Sequence, residues 1–238
     1  MQKKVDKIFL EKKVKKFEFD QKVVPVFQDM ILRSVPGYEN LIKNISIITK
    51  KNVAKNSMIY DLGCSLGACS RKIADEVQSE KIKIVAIDNS EQMINYCHEN
   101  YSNYKNITFI HEDINNFKLE TASVVILNFT LQFIKRDLKD QLIAKIFNAL
   151  DEKGILVISE KVISESKEEE LFLQDYHEFF KSCNGYTKEE IDRKKLSLSN
   201  VMLLDNIKTH ERRFKDVGFS DSCLWHRSYN FVSWIVRK

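Results

Sequence analysis

Four polar positions stand at or just beyond the ends of short apolar runs: Asp61 after Met58-Ile59-Tyr60, Asp88 after Ile84-Val85-Ala86-Ile87, Asp113 after Ile107 to Ile110, and Asn128 after Val124 to Leu127. Between the first two, Gly63, Ser65 and Gly67 alternate with Cys64 and Leu66 before a helix-like segment from Cys69 to Val77. Glycine or serine at such a turn lets the backbone come close to a ligand, and the free N–H groups at a helix start favour a polar or anionic one. Asp88 follows the last glycine of the turn by about twenty residues, the distance at which a carboxylate can accept both hydroxyls of a ribose. Asp113 can accept a hydrogen bond from an exocyclic adenine amine, with Ile114 as an apolar face for the ring. Asn128 can contact the amino-acid part of a ligand or a substrate carbonyl. Each also has a plainer reading: Asp88 as a helix cap, Asp113 as a loop acid, Asn128 as an asparagine satisfying its own turn.

Two nucleotide classes compete for such a pattern. A dinucleotide fold uses the tighter G-x-G-x-x-G near the beginning of the chain. Here the turn is Gly63-x-Ser65-x-Gly67 and an acid precedes it, which favours S-adenosyl-L-methionine over NAD. The histidines show no metal-ligand spacing, so no metal is expected, and His98, His111 and His177 read as structural. Cys64 reads as a small residue offering a backbone N–H rather than as a nucleophile.

The elements that must hold these residues follow from periodicity. Five buried runs, each separated from the next by a helical pattern, indicate a parallel sheet covered on both faces, with ligands beyond the carboxyl ends of the strands. The first run ends at Leu62, the second covers Lys83 to Asp88, the third Ile107 to Ile110, the fourth Ser123 to Leu127 and the fifth Ile155 to Ser159. Before them, Val23, Phe27, Met30 and Ile31 predict a buried helix over Lys22 to Arg33, and Pro36-Gly37 suits a type II turn. A second helix spans about Glu39 to Lys50. The alternation breaks between about 164 and 202, where Ser166-x-x-Glu169 and Thr187-x-x-Glu190 are capping-box signatures around an Asn184-Gly185 turn, so a two-helix insertion is expected. Its Phe172, Tyr176, Phe179 and Phe180 read as core or subunit-interface packing. A last helix from Asp205 to Val217 precedes two antiparallel strands, Ser220 to Trp225 and Tyr229 to Arg237. Residues 1–20 alternate lysine with phenylalanine and valine and carry no turn punctuation, so they read as a loosely docked arm, and 21–238 as a single domain.

Composition bounds the function. Apolar residues make up 43% and charged residues 30% of the 238, a globular balance. The net charge of +4 comes from 38 basic and 34 acidic residues scattered along the chain; this suits anionic metabolites and falls short of the basic footprint of a nucleic-acid binder. No direct tRNA binding is expected. Five cysteines without a C-x-x-C pair point to reduced thiols in the cytoplasm. Ile8-Phe9-Leu10 is too short for a signal peptide or a membrane span.

Longer blocks are more specific. Phe27-x-Asp29-Met30-Ile31-x-Arg33-Ser34-Val35-Pro36-Gly37-Tyr38, Tyr60 to Ala68, Ala86 to Ser90, Leu127 to Phe133, Ser159-Glu160-Lys161, Asn184-Gly185-Tyr186 and Asn200 to Leu203 together closely resemble the carboxy-S-adenosyl-L-methionine synthases. The resemblance runs from about Phe19 to near the end of the chain. It implies an α/β, Rossmann-like class I methyltransferase fold with a mostly parallel seven-stranded sheet, and a homodimer. It implies conversion of S-adenosyl-L-methionine and prephenate to carboxy-S-adenosyl-L-methionine and phenylpyruvate, the product supplying a tRNA carboxymethyltransferase that modifies the wobble uridine.

Matched motif by motif, it implies a cofactor site of Tyr38, Gly63, Cys64, Ser65, Asp88, Asn89, Asp113, Ile114 and Asn128. Where the family usually has an arginine for the new carboxylate, this chain has Lys195, which keeps the charge but loses the two-pronged guanidinium geometry. A sulfonium stabilises an adjacent carbanion, so loss of a methyl proton can turn that carbon into a nucleophile for carbon dioxide released in a closed site. Arg193 and Lys195 are expected to form the anionic-substrate wall, and no residue is identified as general base. The alternatives are an ordinary methyltransferase acting on RNA or a small molecule, which shares the cofactor site, and a protein that carries an adenosyl metabolite without turnover.

Overall fold

The computed structural model describes residues 5–11, 14–79 and 81–238. A 3-10 turn at Val24–Val26 leads into helix α1 (Phe27–Leu32), not into the continuous helix from Lys22 that periodicity predicts. Pro25 lies in that turn, and a proline has no N–H to give a helix interior. At Val35-Pro36-Gly37-Tyr38 the Tyr38 N–H reaches the Val35 carbonyl at 3.3 Å with Gly37 at φ +71°, the left-handed position a type II turn requires.

Helix α2 (Tyr38–Asn52) then delivers the chain to β1 (Met58–Leu62). The alternation continues through α3 (Ala68–Val77), β2 (Lys83–Asp88), α4 (Glu91–Asn100), β3 (Ile107–His111), β4 (Ala122–Asn128), α5 (Arg136–Ala149) and β5 (Leu150–Lys161). The insertion is α6 (Lys167–Cys183) and α7 (Lys188–Leu198), followed by α8 (Ile207–Val217), β6 (Asp221–Ser228) and β7 (Phe231–Arg237). The sheet order is β3-β2-β1-β4-β5-β7-β6, with β1 to β5 parallel and β7 antiparallel to both its neighbours. Strand order therefore reverses between β1 and β4, the switch point at which open α/β sheets bind ligands.

Alternation along β1 sorts the core into two layers. Tyr60 and Leu62 face Leu142, Ile146 and Phe214 of α5 and α8; Ile59 faces Leu41, Ile45 and Ile73 of α2 and α3. The Thr187 box at α7 is complete, but at α6 only the Ser166 half forms, because the Glu169 carboxylate reaches Arg227 at 2.7 Å and the Ser164 hydroxyl.

The amino-terminal segment departs from the sequence reading. Residues 1–4, 12 and 13 of the predicted arm lie outside the described residues; the rest is anchored at Asp6, Phe9 and Phe17, with most other side chains exposed. Phe9 and Phe17 are buried with Met30, Met93, Tyr186 and Ile191, and the Phe17 N–H bonds the Ser197 carbonyl at 3.1 Å. The alternation of lysine with phenylalanine is thus amphipathic: the rings go inward against α7. Among the described residues, no helix is long and apolar enough to cross a membrane.

Candidate functional site

Parallel register brings the strand ends level. Leu62 pairs with Ile87, Asp88 with His111, Asp61 with Ile126 and Asn128 with Ser159. A cavity of about 720 Å³ opens along this edge, and Tyr38, Gly63, Cys64, Ser65, Asp88, Asn89, Asp113, Ile114, Asn128 and Lys195 all line it. That volume lies within the usual range for small-molecule pockets, ~300–1,000 Å³.

The turn is stitched to β2. The Gly63 and Cys64 N–H groups donate to the Ile87 carbonyl at 2.8 and 3.0 Å, and the Ser65 N–H donates to Asp88 Oδ2 at 2.8 Å. The Ser90 N–H holds Asp88 Oδ1 at 2.9 Å. So these turn amides do not wait for a ligand, as the sequence reading has it; they fix the Asp88 carboxylate. Burial pushes the Asp88 carboxyl up, and the two amides pull it back. Asp61, behind the turn, accepts both the Ser70 N–H at 3.1 Å and the Ser70 hydroxyl at 2.5 Å. Its burial still raises it to about 6.

Strain gathers on the same wall. Ser65 and Phe129 take left-handed backbone at φ 51° and 60°, a conformation that non-glycine residues hold where the surroundings over-determine it, often at functional sites. Gly63, at φ +79°, has no room for a side chain: a Cβ would lie 2.4 Å from Thr130 Cγ2.

Beyond β3, Asp113 Oδ1 accepts the Asn115 N–H at 2.8 Å and its side-chain amide at 2.7 Å. Lys145 holds the loop by donating to the Ile114 and Asn115 carbonyls at 2.7 and 3.0 Å. Asn128 Oδ1 is buried on the cavity wall without a hydrogen-bond partner among the described residues. A buried acceptor left open is costly unless a ligand donor fills it. An α-ammonium group at this point of the sheet edge would do so, and the residues present therefore fit an adenosyl amino acid.

Two sequence expectations change. Arg193 is not on the cavity wall: its guanidinium donates to the Phe9 carbonyl at 2.9 Å and the Leu10 carbonyl at 3.4 Å, clasping the amino-terminal segment. Of the two readings for Phe172, Tyr176 and Phe179, core packing is excluded, since they are exposed on α6, and subunit-interface packing stays open. His177 does have a structural bond, to the Ser34 carbonyl at 2.8 Å, yet also lines the cavity. Burial drives its imidazole far below the ordinary range, so it is neutral. Cys64, Cys69 and Cys97 are buried, and burial raises all three thiols, Cys97 to about 12, which leaves them protonated and unreactive.

The cavity is also lined by residues to which the sequence reading gave no role: Thr130, which packs against the turn, and Ser34, Gln132, Lys181 and Lys194. Lys194 donates to the Ser34 hydroxyl at 2.6 Å and to the Tyr186 hydroxyl at 3.3 Å, and burial lowers its ammonium to about 7. Lys195 pairs with Glu178 at 3.1 Å and reaches Gln174 at 3.4 Å. The Arg193-Lys194-Lys195 run was the available signal, but a helix sends three consecutive residues in different directions.

Comparison with known proteins agrees with this geometry. Residues 54–217 match the family described as a methyltransferase domain. The chain is 43% identical over 243 residues to a carboxy-S-adenosyl-L-methionine synthase of Shewanella halifaxensis, covering 100% of both chains. It is 42% identical over 225 residues to one of Histophilus somni, covering 93% of each. Among solved structures, human N-acetylserotonin methyltransferase in complex with SAM matches with TM-score 0.63 at 17% identity, over 91% of this chain and 55% of that one. A SAM-dependent methyltransferase from Aquifex aeolicus matches with TM-score 0.60 at 17% identity, over 92% and 99%. The fold is that of the class I methyltransferases, as expected from the sequence.

Proposed function

This chain belongs to the carboxy-S-adenosyl-L-methionine synthases and is a transferase, and on that premise we propose that it makes carboxy-S-adenosyl-L-methionine and phenylpyruvate from S-adenosyl-L-methionine and prephenate. The observation that carries the reading is the composition of one cavity: a nucleoside-binding row on one side and lysines of the insertion on the other. An ordinary methyltransferase needs the first and not the second.

In this proposal Asp88 and Asn89 hold the ribose, Asp113 and Ile114 the adenine, and Asn128 the amino-acid ammonium. Tyr38 and the turn at Gly63, Cys64 and Ser65 close around the sulfonium end. The chemistry supplied by the bound sulfonium is acidity at its methyl group; the ring of prephenate supplies carbon dioxide and a leaving hydroxide, which takes the methyl proton to water. What the protein's own residues contribute is position and dryness, from the apolar side chains of Phe19, Phe27, Phe133 and Met202 on the cavity wall. Lys195 is assigned the new carboxylate, for which it exchanges its pairing with Glu178.

Purified protein given both substrates is expected to yield a sulfonium product heavier by the mass of carbon dioxide, read by mass spectrometry. Methylated acceptor with adenosylhomocysteine instead would favour the ordinary methyltransferase, and the absence of added mass above a prephenate-free control would remove the reaction as written.

The product is proposed to serve a separate tRNA carboxymethyltransferase, in the cytoplasm, where five free thiols are at home. A homodimer is part of the same reading. Helix α6 turns Leu171, Phe172, Tyr176 and Phe179 outward, between 45% and 68% exposed, an apolar face that water does not favour. Sedimentation is expected to give a dimer for the unaltered protein and a monomer for Phe172→Glu; a monomeric unaltered protein would discard this part.

A further inference from the structure

Two lysines on the cavity wall lack a direct carboxylate partner: Lys161 has only the face of the Phe231 ring, 5.9 Å from its ammonium, and both feel Glu178 at a distance. Lys161 ends β5 and Lys181 lies in the last turn of α6; both line the cavity, and Lys181 is 9% exposed. Among the described residues, neither ammonium has a hydrogen-bond or ion-pair partner. The neighbouring groups are already engaged. Glu178 is taken by Lys188 and Lys195, each at 3.1 Å. Glu170 accepts the Ser164 N–H at 2.7 Å and the Gln174 amide at 2.6 Å. Lys194 spends its protons on Ser34 and Tyr186, and His177 faces the Ser34 carbonyl. Burial lowers both ammonium groups; the Lys161 charge helps bring Lys181 to about 8, while Glu170 and Glu178 offset part of the effect at Lys161.

Keeping one ammonium out of water without a hydrogen bond or ion pair is expensive, and keeping two so near one another is worse. A fold that keeps both has a use for the charge. Their place in the sheet says where: Asn128 is level with Ser159 on β5, so Lys161 projects two residues beyond the point at which Asn128 meets the ligand's amino-acid end. We propose that Lys161 and Lys181 form an anion subsite for the second substrate, a dicarboxylate, and grip the carboxylate that the reaction retains.

The choice of carboxylate follows from the chemistry of the proposed reaction, on which this inference rests. The ring carboxylate leaves as neutral carbon dioxide. A cation pair fastened to it would stabilise the ground state and oppose its departure. The oxoacid carboxylate keeps its charge throughout, so binding it firmly orients the ring without resisting the bond that must break. Lysines suit an anion that is held as a point charge and released with product.

The test is direct binding, separated from turnover. Prephenate is titrated calorimetrically into S-adenosylmethionine-loaded protein, unaltered and with Lys161→Met, Lys181→Met or Lys181→Arg. Methionine keeps the length and removes a buried charge, so folding should not suffer. Each methionine variant is expected to bind prephenate about ten- to a hundredfold more weakly, the worth of a charge-assisted hydrogen bond. S-adenosylmethionine affinity should stay within about twofold, and Lys181→Arg should retain most of the prephenate affinity. Unchanged prephenate binding in both methionine variants overturns the subsite, as does an unaltered protein that binds no prephenate. If the unaltered protein binds prephenate and the variants do not, yet no carboxylated product forms, the subsite stands and the reaction reading falls.

Discussion

Gly63→Ala is expected to cost the protein about 3 kcal/mol of stability and more than about a hundredfold in S-adenosylmethionine affinity. Two separate effects add. A non-glycine residue in left-handed backbone is strained by roughly 1–2 kcal/mol, and Gly63 sits at φ +79°. The new Cβ would also lie 2.4 and 2.5 Å from Thr130 Cγ2 and Oγ1, a distance at which something must move. The Thr130 hydroxyl donates to the Leu62 carbonyl at 2.8 Å, so its displacement frees the end of β1 and the turn that braces Asp88.

The unfolding midpoint should fall by about 6–12 °C, at ~2–4 °C per kcal/mol for a chain of this size, and calorimetric titration should register the loss of binding. Gly63→Ala with Thr130→Ala is the control. It removes the two nearest atoms and leaves the third at 3.0 Å, so part of the stability should return while the backbone strain persists. A single variant that binds S-adenosylmethionine as the unaltered protein does would show that the turn is not where the ligand sits.

The sheet and the edge that lines the cavity were legible because both depend on local pattern. A strand buried on both faces writes itself as an apolar run, and a residue that must meet a ligand stands where that run ends. Asp61, Asp88, Asp113 and Asn128 could therefore be read one after another, and all four line the cavity. The partners of Asp88 could not. The Ser65 amide is twenty-three positions away in sequence, and which donor fills which lone pair is decided by the turn's three-dimensional path.

The insertion was legible as two helices and illegible as a wall. Periodicity places Lys181, Arg193, Lys194 and Lys195 on helices but does not say against what those helices pack. Once α7 lies on the amino-terminal segment, Arg193 is drawn to the Phe9 and Leu10 carbonyls and Lys194 turns inward to Ser34. The amino-terminal phenylalanines misled for the same reason. A lysine-phenylalanine alternation reads as weak structure until an apolar surface of Tyr186, Ile191 and Met93 is there to receive the rings.

Asp88→Asn should separate a ribose acceptor from a mere brace of the turn, since the helix cap of α4 is Ser90 and not Asp88. If Asp88 only braces Ser65 and the capping residue of α4, Ser90, through their N–H groups, an asparagine oxygen can still accept one of the two, and the loss is a single bond, ~1 kcal/mol of stability, with little effect on ligand affinity. If the carboxylate also receives ribose hydroxyls, the amide loses two charge-assisted bonds at ~1.5–3 kcal/mol each, and S-adenosylmethionine affinity drops by about a hundredfold or more. Acidity sharpens the distinction. Burial holds the Asp88 carboxyl above the ordinary aspartate range. Protonation on acidification removes the charged acceptor in the unaltered protein at a higher pH than a surface aspartate would, and affinity should decline there. The asparagine variant has no proton to gain at this position, so its affinity starts low and loses that part of the decline. Calorimetric titration of S-adenosylmethionine across the acid range reads both effects, and a variant with undiminished affinity and the same acid profile would take the ribose away from Asp88.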